Sequence, residues 1–100
     1  MKPATRTLLA KLRQSFAHEL APYPVHVRIA DIPDALGEAW FDPKRKAFRI
    51  RLDRAHSECP LLLMHEFAHL LSLNPLGGDH GPSFGLAYAR VCQVYEEFCS

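Results

Sequence analysis

The hydrophobic residues at the start of the chain recur at the spacing of an α-helix. This pattern predicts an amphipathic helix over residues 4 to 20, with an apolar stripe formed by Leu8, Leu9, Leu12, Phe16 and Leu20. The segment APYP at residues 21 to 24 is expected to end the helix, because proline cannot continue a helix and disfavours helical conformation in the residue before it.

The middle of the chain alternates between apolar and polar residues, as strands do. Residues 25 to 29 and 48 to 52 both show this period of two, and the short segment EAWF at 38 to 41 is a third strand candidate. A turn at DPKRK separates EAWF from the strand candidate at residues 48 to 52. We therefore expect a small antiparallel sheet with one face covered.

The last part of the chain returns to helical periodicity. Ser57 is a candidate cap for a helix that runs through LLLMHEFAHLLSL until Asn74-Pro75 and Gly77-Gly78 stop it. A final helix begins near Pro82, and its apolar stripe consists of Phe84, Ala87, Tyr88, Val91, Val94, Tyr95 and Phe98. The order of helix, three strands, helix and helix predicts an α+β fold.

Length and composition narrow the class of protein. With 100 residues, 48% of them hydrophobic, the chain is expected to form a single domain over residues 1 to 100. The net charge of +1 indicates neither a nucleic acid nor an acidic partner. No segment has the pattern of a signal peptide or a membrane span, and three cysteines without paired spacing suit buried thiols in a reducing compartment. We therefore expect a cytoplasmic protein.

The segment HEFAH at residues 65 to 69 carries the candidate chemistry. His65 and His69 are four residues apart on the predicted helix, so both imidazoles project from one face and can bind one zinc ion. Glu66 lies on the flank of that face, where it can act as a general base toward a zinc-activated water molecule. A structural explanation is a core helix whose polar residues find hydrogen-bond partners elsewhere. Burying two histidines and a glutamate without partners would cost several kcal/mol, and a chemical role explains that cost better.

A catalytic zinc site needs a third protein ligand. His80 follows the predicted Gly77-Gly78 turn and could return to the metal, while Glu96 and Glu97 on the last helix are rivals. The last helix is expected to run from Pro82 past Glu96, so its two ends are roughly 20 Å apart and cannot both reach one ion. The short loop favours His80. Asp79 is a candidate for orienting a ligand.

HEFAH followed by a short loop and by HGPSF resembles the SprT-like zinc metallopeptidases, which are zincins of the gluzincin type. The hairpin GEAWFDPKRKAFRIRLD before the active-site helix is also similar, and the likeness covers roughly residues 25 to 98. It implies a minimal zincin fold, His65, His69 and His80 as zinc ligands, and Glu66 as catalytic base. It also implies that the strand before the active-site helix, residues 46 to 52, forms the rim that pairs with a peptide substrate.

The resemblance predicts a zinc-dependent metallopeptidase acting on a peptide or protein substrate. The alternative is a non-catalytic zinc-binding or nucleic-acid-associated module on the same fold. A cluster of basic residues in the hairpin keeps nucleic acid open as a partner, although a solvated surface partly neutralised by Asp42 and Asp53 is favoured; it comprises Lys44, Arg45, Lys46, Arg49, Arg51 and Arg54. No membrane association is expected.

Overall fold

The structure is a computed structural model that describes residues 1–73 and 80–100. Over these ranges the chain forms four α-helices and one three-stranded sheet. The elements, in chain order, are α1 (Pro3–Ser15), α2 (Ala17–Leu20), β1 (Val25–Ala30), β2 (Gly37–Asp42), β3 (Ala47–Asp53), α3 (Pro60–Leu71) and α4 (Pro82–Cys99). A 3-10 turn at Arg54–His56 joins β3 to α3. The predicted α+β class and element order are confirmed.

The N-terminal helix is broken where the sequence predicted a continuous one. The backbone of Phe16 leaves the helical region, with φ −114° and ψ 17°, and this separates α1 from the single turn of α2. The break lets the Phe16 ring turn toward α3, where its centroid lies 5.9 Å from that of Phe67. The chain therefore makes this contact with α3 instead of continuing as one uninterrupted helix.

The sheet is mixed, and the prediction of an antiparallel sheet is wrong for one of its two pairings. Strand β2 pairs antiparallel with β3, but β1 pairs parallel with β3, which gives the order β1-β3-β2. The segment after β1 crosses to the far side of the sheet, so that β3 inserts between the two earlier strands. Asp53 fixes this crossover: its carboxylate accepts from the Ile32 N–H at 3.1 Å and its own N–H donates to the Leu36 carbonyl at 2.7 Å.

This topology corrects the expected substrate rim. Residues 46 to 52 were predicted to offer a free edge to a peptide, but β3 is the central strand and both of its edges are hydrogen-bonded to neighbours. Within residues 1–73 and 80–100, β2 has a strand on one side only. The free edge nearest α3 therefore belongs to β2.

The start of α3 is fixed by Glu58 rather than by a serine cap. Ser57 does not cap α3 as predicted; its hydroxyl donates to the Arg54 carbonyl at 3.3 Å. Glu58 accepts from the Lys2 N–H at 2.8 Å and from the Thr5 hydroxyl at 2.6 Å, which ties the chain before Pro60 to α1. The predicted stop at Asn74-Pro75 and Gly77-Gly78 lies outside the described residues, and α3 already ends at Leu71.

The core lies between the sheet and the helices, with α3 at its centre. Five residues of α3 are at most 3% exposed, and they are Leu63, Met64, Phe67, Ala68 and Leu70. They pack against buried side chains of α1, β3 and α4, including Leu12, Ile50 and Val91. No described helix is long and apolar enough to cross a membrane.

The position of Phe67 at the centre of this core gives a test of the fold. Phe67→Ala should lower the free energy of unfolding by about 3–5 kcal/mol, because it removes a fully buried aromatic ring and leaves a cavity. Leu86→Ala is the control, since Leu86 is 71% exposed and its loss should change stability by about 0.5 kcal/mol or less. Urea unfolding followed by circular dichroism measures both, and equal effects would contradict the described core.

Candidate metal centre

Helix α3 brings the two predicted histidine ligands together on one face. His65 and His69 are one turn apart, and their ring centroids lie 4.8 Å from each other. Leu63, Met64, Phe67, Ala68 and Leu70 face the core, and the face with the two histidines turns toward a cleft. Both rings are half-buried, which leaves their outer nitrogens accessible.

The third histidine comes from the segment just before α4. His80 lies two residues before Pro82, the first residue of α4, and its ring centroid is 5.0 Å from that of His65 and 4.9 Å from that of His69. One ligand nitrogen from each of the three histidines lies within 4.8 Å of the others. The structure therefore confirms that these residues lie close enough to bind one metal ion.

One pair of these nitrogens has the spacing expected for a tetrahedral metal. The Nε2 atoms of His65 and His80 are 3.2 Å apart. Two nitrogens bound to zinc at tetrahedral angles lie about 3.3–3.4 Å apart, given bond lengths of about 2.0–2.1 Å. Three histidines leave the fourth position of a tetrahedral ion open, as catalytic zinc sites do.

The surroundings keep the two helix histidines in the form that binds metal. Burial, followed by the charge of His80, lowers the pKa of His65. Burial also lowers the pKa of His69, with smaller contributions from His65 and His80. A lowered pKa favours the neutral imidazole, and a metal competes with fewer protons for it.

Glu66 lies beside the histidine cluster with its carboxylate at the wall of the cleft. Its side chain is buried, at 5% exposure. Burial, and to a smaller extent the nearby charge of Glu38, together raise the pKa of Glu66 to about 7. A carboxyl group with a pKa near neutrality can both accept and return a proton at neutral pH.

Gly37 at the start of β2 makes the space that Glu66 occupies. A Cβ atom at Gly37 would lie 2.9 Å from both Cγ and Oε2 of Glu66, so the Glu66 side chain would have to shift to accommodate any other residue there. Gly37 is one of the functional residues that sequence reasoning missed. The only sequence signal was a glycine at the start of a strand, a position that often marks close approach of another group.

Two cavities open on either side of Glu66. Each has a volume of about 430 Å³, and Gly37, His65 and Glu66 line both. We call the cavity that also contains His69 and His80 the metal cleft. The other extends toward the N-terminal end of α3, and we call it the apolar cavity.

Phe84 forms a wall of the metal cluster that the sequence analysis assigned only to a packing stripe. Its ring centroid lies 5.0 Å from that of His65, 4.5 Å from that of His69 and 4.8 Å from that of His80. Tyr88 stacks on Phe84 in turn, with centroids 5.8 Å apart. An aromatic wall in contact with all three rings fixes their orientation.

The rival ligands do not join the cluster. Glu96 and Glu97 are exposed near the far end of α4, and among the described residues the histidines form the one group suited to a metal. Asp79 lies outside the described residues. The described part of the chain thus supports the histidine set.

Three basic residues of the hairpin, Arg45, Arg49 and Arg51, line one pocket that none of the three clustered histidines lines. Arg49 pairs with Asp42 at 3.2 Å, and Arg51 pairs with Glu38 at 2.5 Å. Asp53 does not neutralise an arginine as expected, since its partner is His56 at 3.2 Å. Both arginines of β3 are therefore already paired with carboxylates of β2.

The cysteines are free, and two of them are more exposed than predicted. Cys59 and Cys99 are exposed, whereas Cys92 is partly buried. Cys59 immediately precedes α3 and lines the apolar cavity. The expectation of buried thiols is therefore wrong for these two residues.

A scan of protein-family models and a search of curated proteins both find no match for this chain.

The histidine cluster predicts a measurable metal content. The purified chain should hold about one zinc ion, and His80→Ala should lower that content strongly because two histidines make a weaker site. His18→Ala is the control, since His18 is exposed on α2 and outside the cluster. Elemental analysis measures the metal directly, and equal zinc content in both variants would remove His80 from the site.

Proposed function

We propose that this chain is a zinc-dependent metallopeptidase that hydrolyses peptide bonds, with a minimal zincin fold like that of the SprT-like family. The observation that carries the proposal is the combination of three clustered histidines with the buried Glu66 carboxylate beside them. A structural metal site has no need of an acid at its edge, and removing a carboxyl group from water is costly. A hydrolytic site needs a base at this position.

His65, His69 and His80 would hold the ion. When bound, zinc supplies Lewis acidity, which brings the pKa of a water molecule toward the neutral range. Phe84 excludes water from the side of the cluster opposite the cleft, because its ring contacts all three imidazoles. The open side faces Gly37 and Ala39 of β2.

Glu66 transfers a proton from the attacking water to the leaving amine. Its carboxylate accepts a proton from the attacking water and holds it on an oxygen atom until the leaving amine takes it. This role needs a group that changes protonation state near neutral pH, and burial gives Glu66 that property. Gly37 leaves the carboxylate free to face the scissile bond.

The substrate lies along the free edge of β2. The Leu36 carbonyl bonds to β3, and hydrogen-bonded residues alternate along an antiparallel pair, so the backbone groups of Gly37, Ala39 and Phe41 face away from β3. Gly37 and Ala39 also line the metal cleft. An extended peptide that pairs with these groups passes directly over Glu66.

The role of Glu66 is tested by Glu66→Gln. The amide keeps the size of the side chain but cannot accept a proton, so peptide hydrolysis should fall about 10²-fold or more while zinc stays bound. Cleavage of a mixed peptide library is followed by mass spectrometry, and zinc is measured on the same samples.

Glu97→Gln makes the same chemical change at an exposed site outside the cluster and should retain full activity. If the wild type binds zinc and cleaves no peptide in the library, the chain is a zinc-binding module without peptidase activity. If Glu66→Gln remains active, another group supplies the base.

Pairing with β2 is tested on the substrate, which avoids disturbing the fold. Two versions of a cleaved peptide are N-methylated at alternate residues, so that one loses the N–H groups that face β2 and the other loses those that face solvent. Cleavage of the first should fall at least about 10-fold, because two or more backbone hydrogen bonds are lost. Equal rates for the two versions would exclude binding along this edge.

A further inference from the structure

The apolar cavity beside Glu66 has walls suited to a hydrocarbon side chain. Leu61 and Leu62 come from the first turn of α3, Leu36 from the segment before β2, and Tyr88 from α4. The volume of about 430 Å³ lies within the range of pockets that bury small ligands. None of the residues that line this cavity is a lysine or an arginine.

The rim of this cavity exposes apolar surface that the fold itself does not cover. Leu36 is 53% exposed and Leu61 is 57% exposed. Single exposed leucines are common on proteins, but two on the rim of one cavity form a patch of the kind that marks binding sites. Leu73, 39% exposed, borders the metal cleft next to it.

The apolar cavity is continuous with the site of the proposed reaction. Gly37, His65 and Glu66 line it as well as the metal cleft. Successive side chains of an extended peptide point to opposite sides. A peptide whose scissile bond lies at Glu66 can therefore place one neighbouring side chain in this cavity while the next points away.

We propose that the apolar cavity binds one large apolar side chain, such as leucine, methionine or phenylalanine, of an extended peptide, and that it selects substrates by this residue. The selection rests on the proposed peptidase function, but the binding does not require cleavage. An acidic side chain would meet the Glu66 carboxylate at the cavity wall, and a basic one would lose its hydration against leucines. Alanine would leave most of the space unfilled.

Cys59 provides a reporter of occupancy that is independent of catalysis. Its thiol is exposed and lines the apolar cavity, whereas the exposed Cys99 does not line it. A side chain bound in the cavity should shield Cys59 from alkylation and leave Cys99 unchanged. The two thiols in one chain are therefore probe and internal control.

The experiment uses the full chain with Glu66→Gln, so that bound peptide is not consumed. The protein is treated with iodoacetamide in the presence of a blocked alanine hexapeptide that contains one phenylalanine, or of the matched peptide with aspartate at that position. Alkylation at Cys59 and Cys99 is quantified separately by mass spectrometry. At a peptide concentration about ten times its Kd, the phenylalanine peptide should slow the reaction of Cys59 about 10-fold.

Leu61→Asp in the same background should abolish the protection, because it places a charge on the cavity rim. Leu86→Asp is the matched control: Leu86 is also an exposed leucine, at 71%, and does not line the cavity. If the protein is active, the wild type should also cleave the phenylalanine peptide at least about 10-fold faster than an all-alanine peptide.

Three results would overturn the proposal: no protection of Cys59, equal protection by both peptides, or protection that persists in Leu61→Asp. Protection of Cys59 without any cleavage by the wild type would retain the binding site and reject the peptidase function. Cleavage that shows no preference for an apolar residue would retain the peptidase function and reject the cavity as the site that selects substrates.

Discussion

The arrangement of the site depends on the burial of α3. Leu63, Met64 and Phe67 are at most 1% exposed and pack toward the other helices and the sheet. Rotating the helix about its axis would bring these side chains into water, at roughly 1.5–3 kcal/mol for each one. The same packing that stabilises the domain therefore fixes the direction in which His65 and His69 point. No further contact within α3 is needed to hold His65 and His69 in this direction.

The burial of the Glu66 carboxyl group is the unfavourable part of this arrangement. Glu66 follows His65 on a helix that is surrounded by apolar side chains, so its carboxyl group is removed from most of the solvent, and Glu38 places a second negative charge nearby. Burial and like charge both disfavour ionisation, which is why the pKa of Glu66 rises to about 7. Groups perturbed in this way concentrate at functional sites, because a purely structural position has no reason to retain them.

Local patterns predicted the helices, the strands and the pairing of His65 with His69, since each of these follows from spacing within one segment. His80 lies in another segment and was favoured only by the short loop before it and by the family resemblance. The period of two in residues 25 to 29 and 48 to 52 shows that alternate side chains are buried, but a parallel neighbour would produce the same period. The sequence therefore could not show that β3 is central, and the free edge of the sheet was assigned to the wrong strand. Gly37 and Phe84 were missed for a related reason: their roles depend on contacts with α3, and those contacts leave no periodic signal.

The contact between Gly37 and Glu66 couples two distant positions of the chain. The restriction at Gly37 is spatial, because a Cβ there would meet the Glu66 side chain. A shorter acid at position 66 would withdraw from β2 and relax the restriction, whereas a glutamate there would have to shift to accommodate any residue other than glycine at position 37. Relatives with this architecture are therefore expected to change the two residues together. A joint change at positions 37 and 66 could therefore help to identify related sequences whose overall similarity is too low to detect.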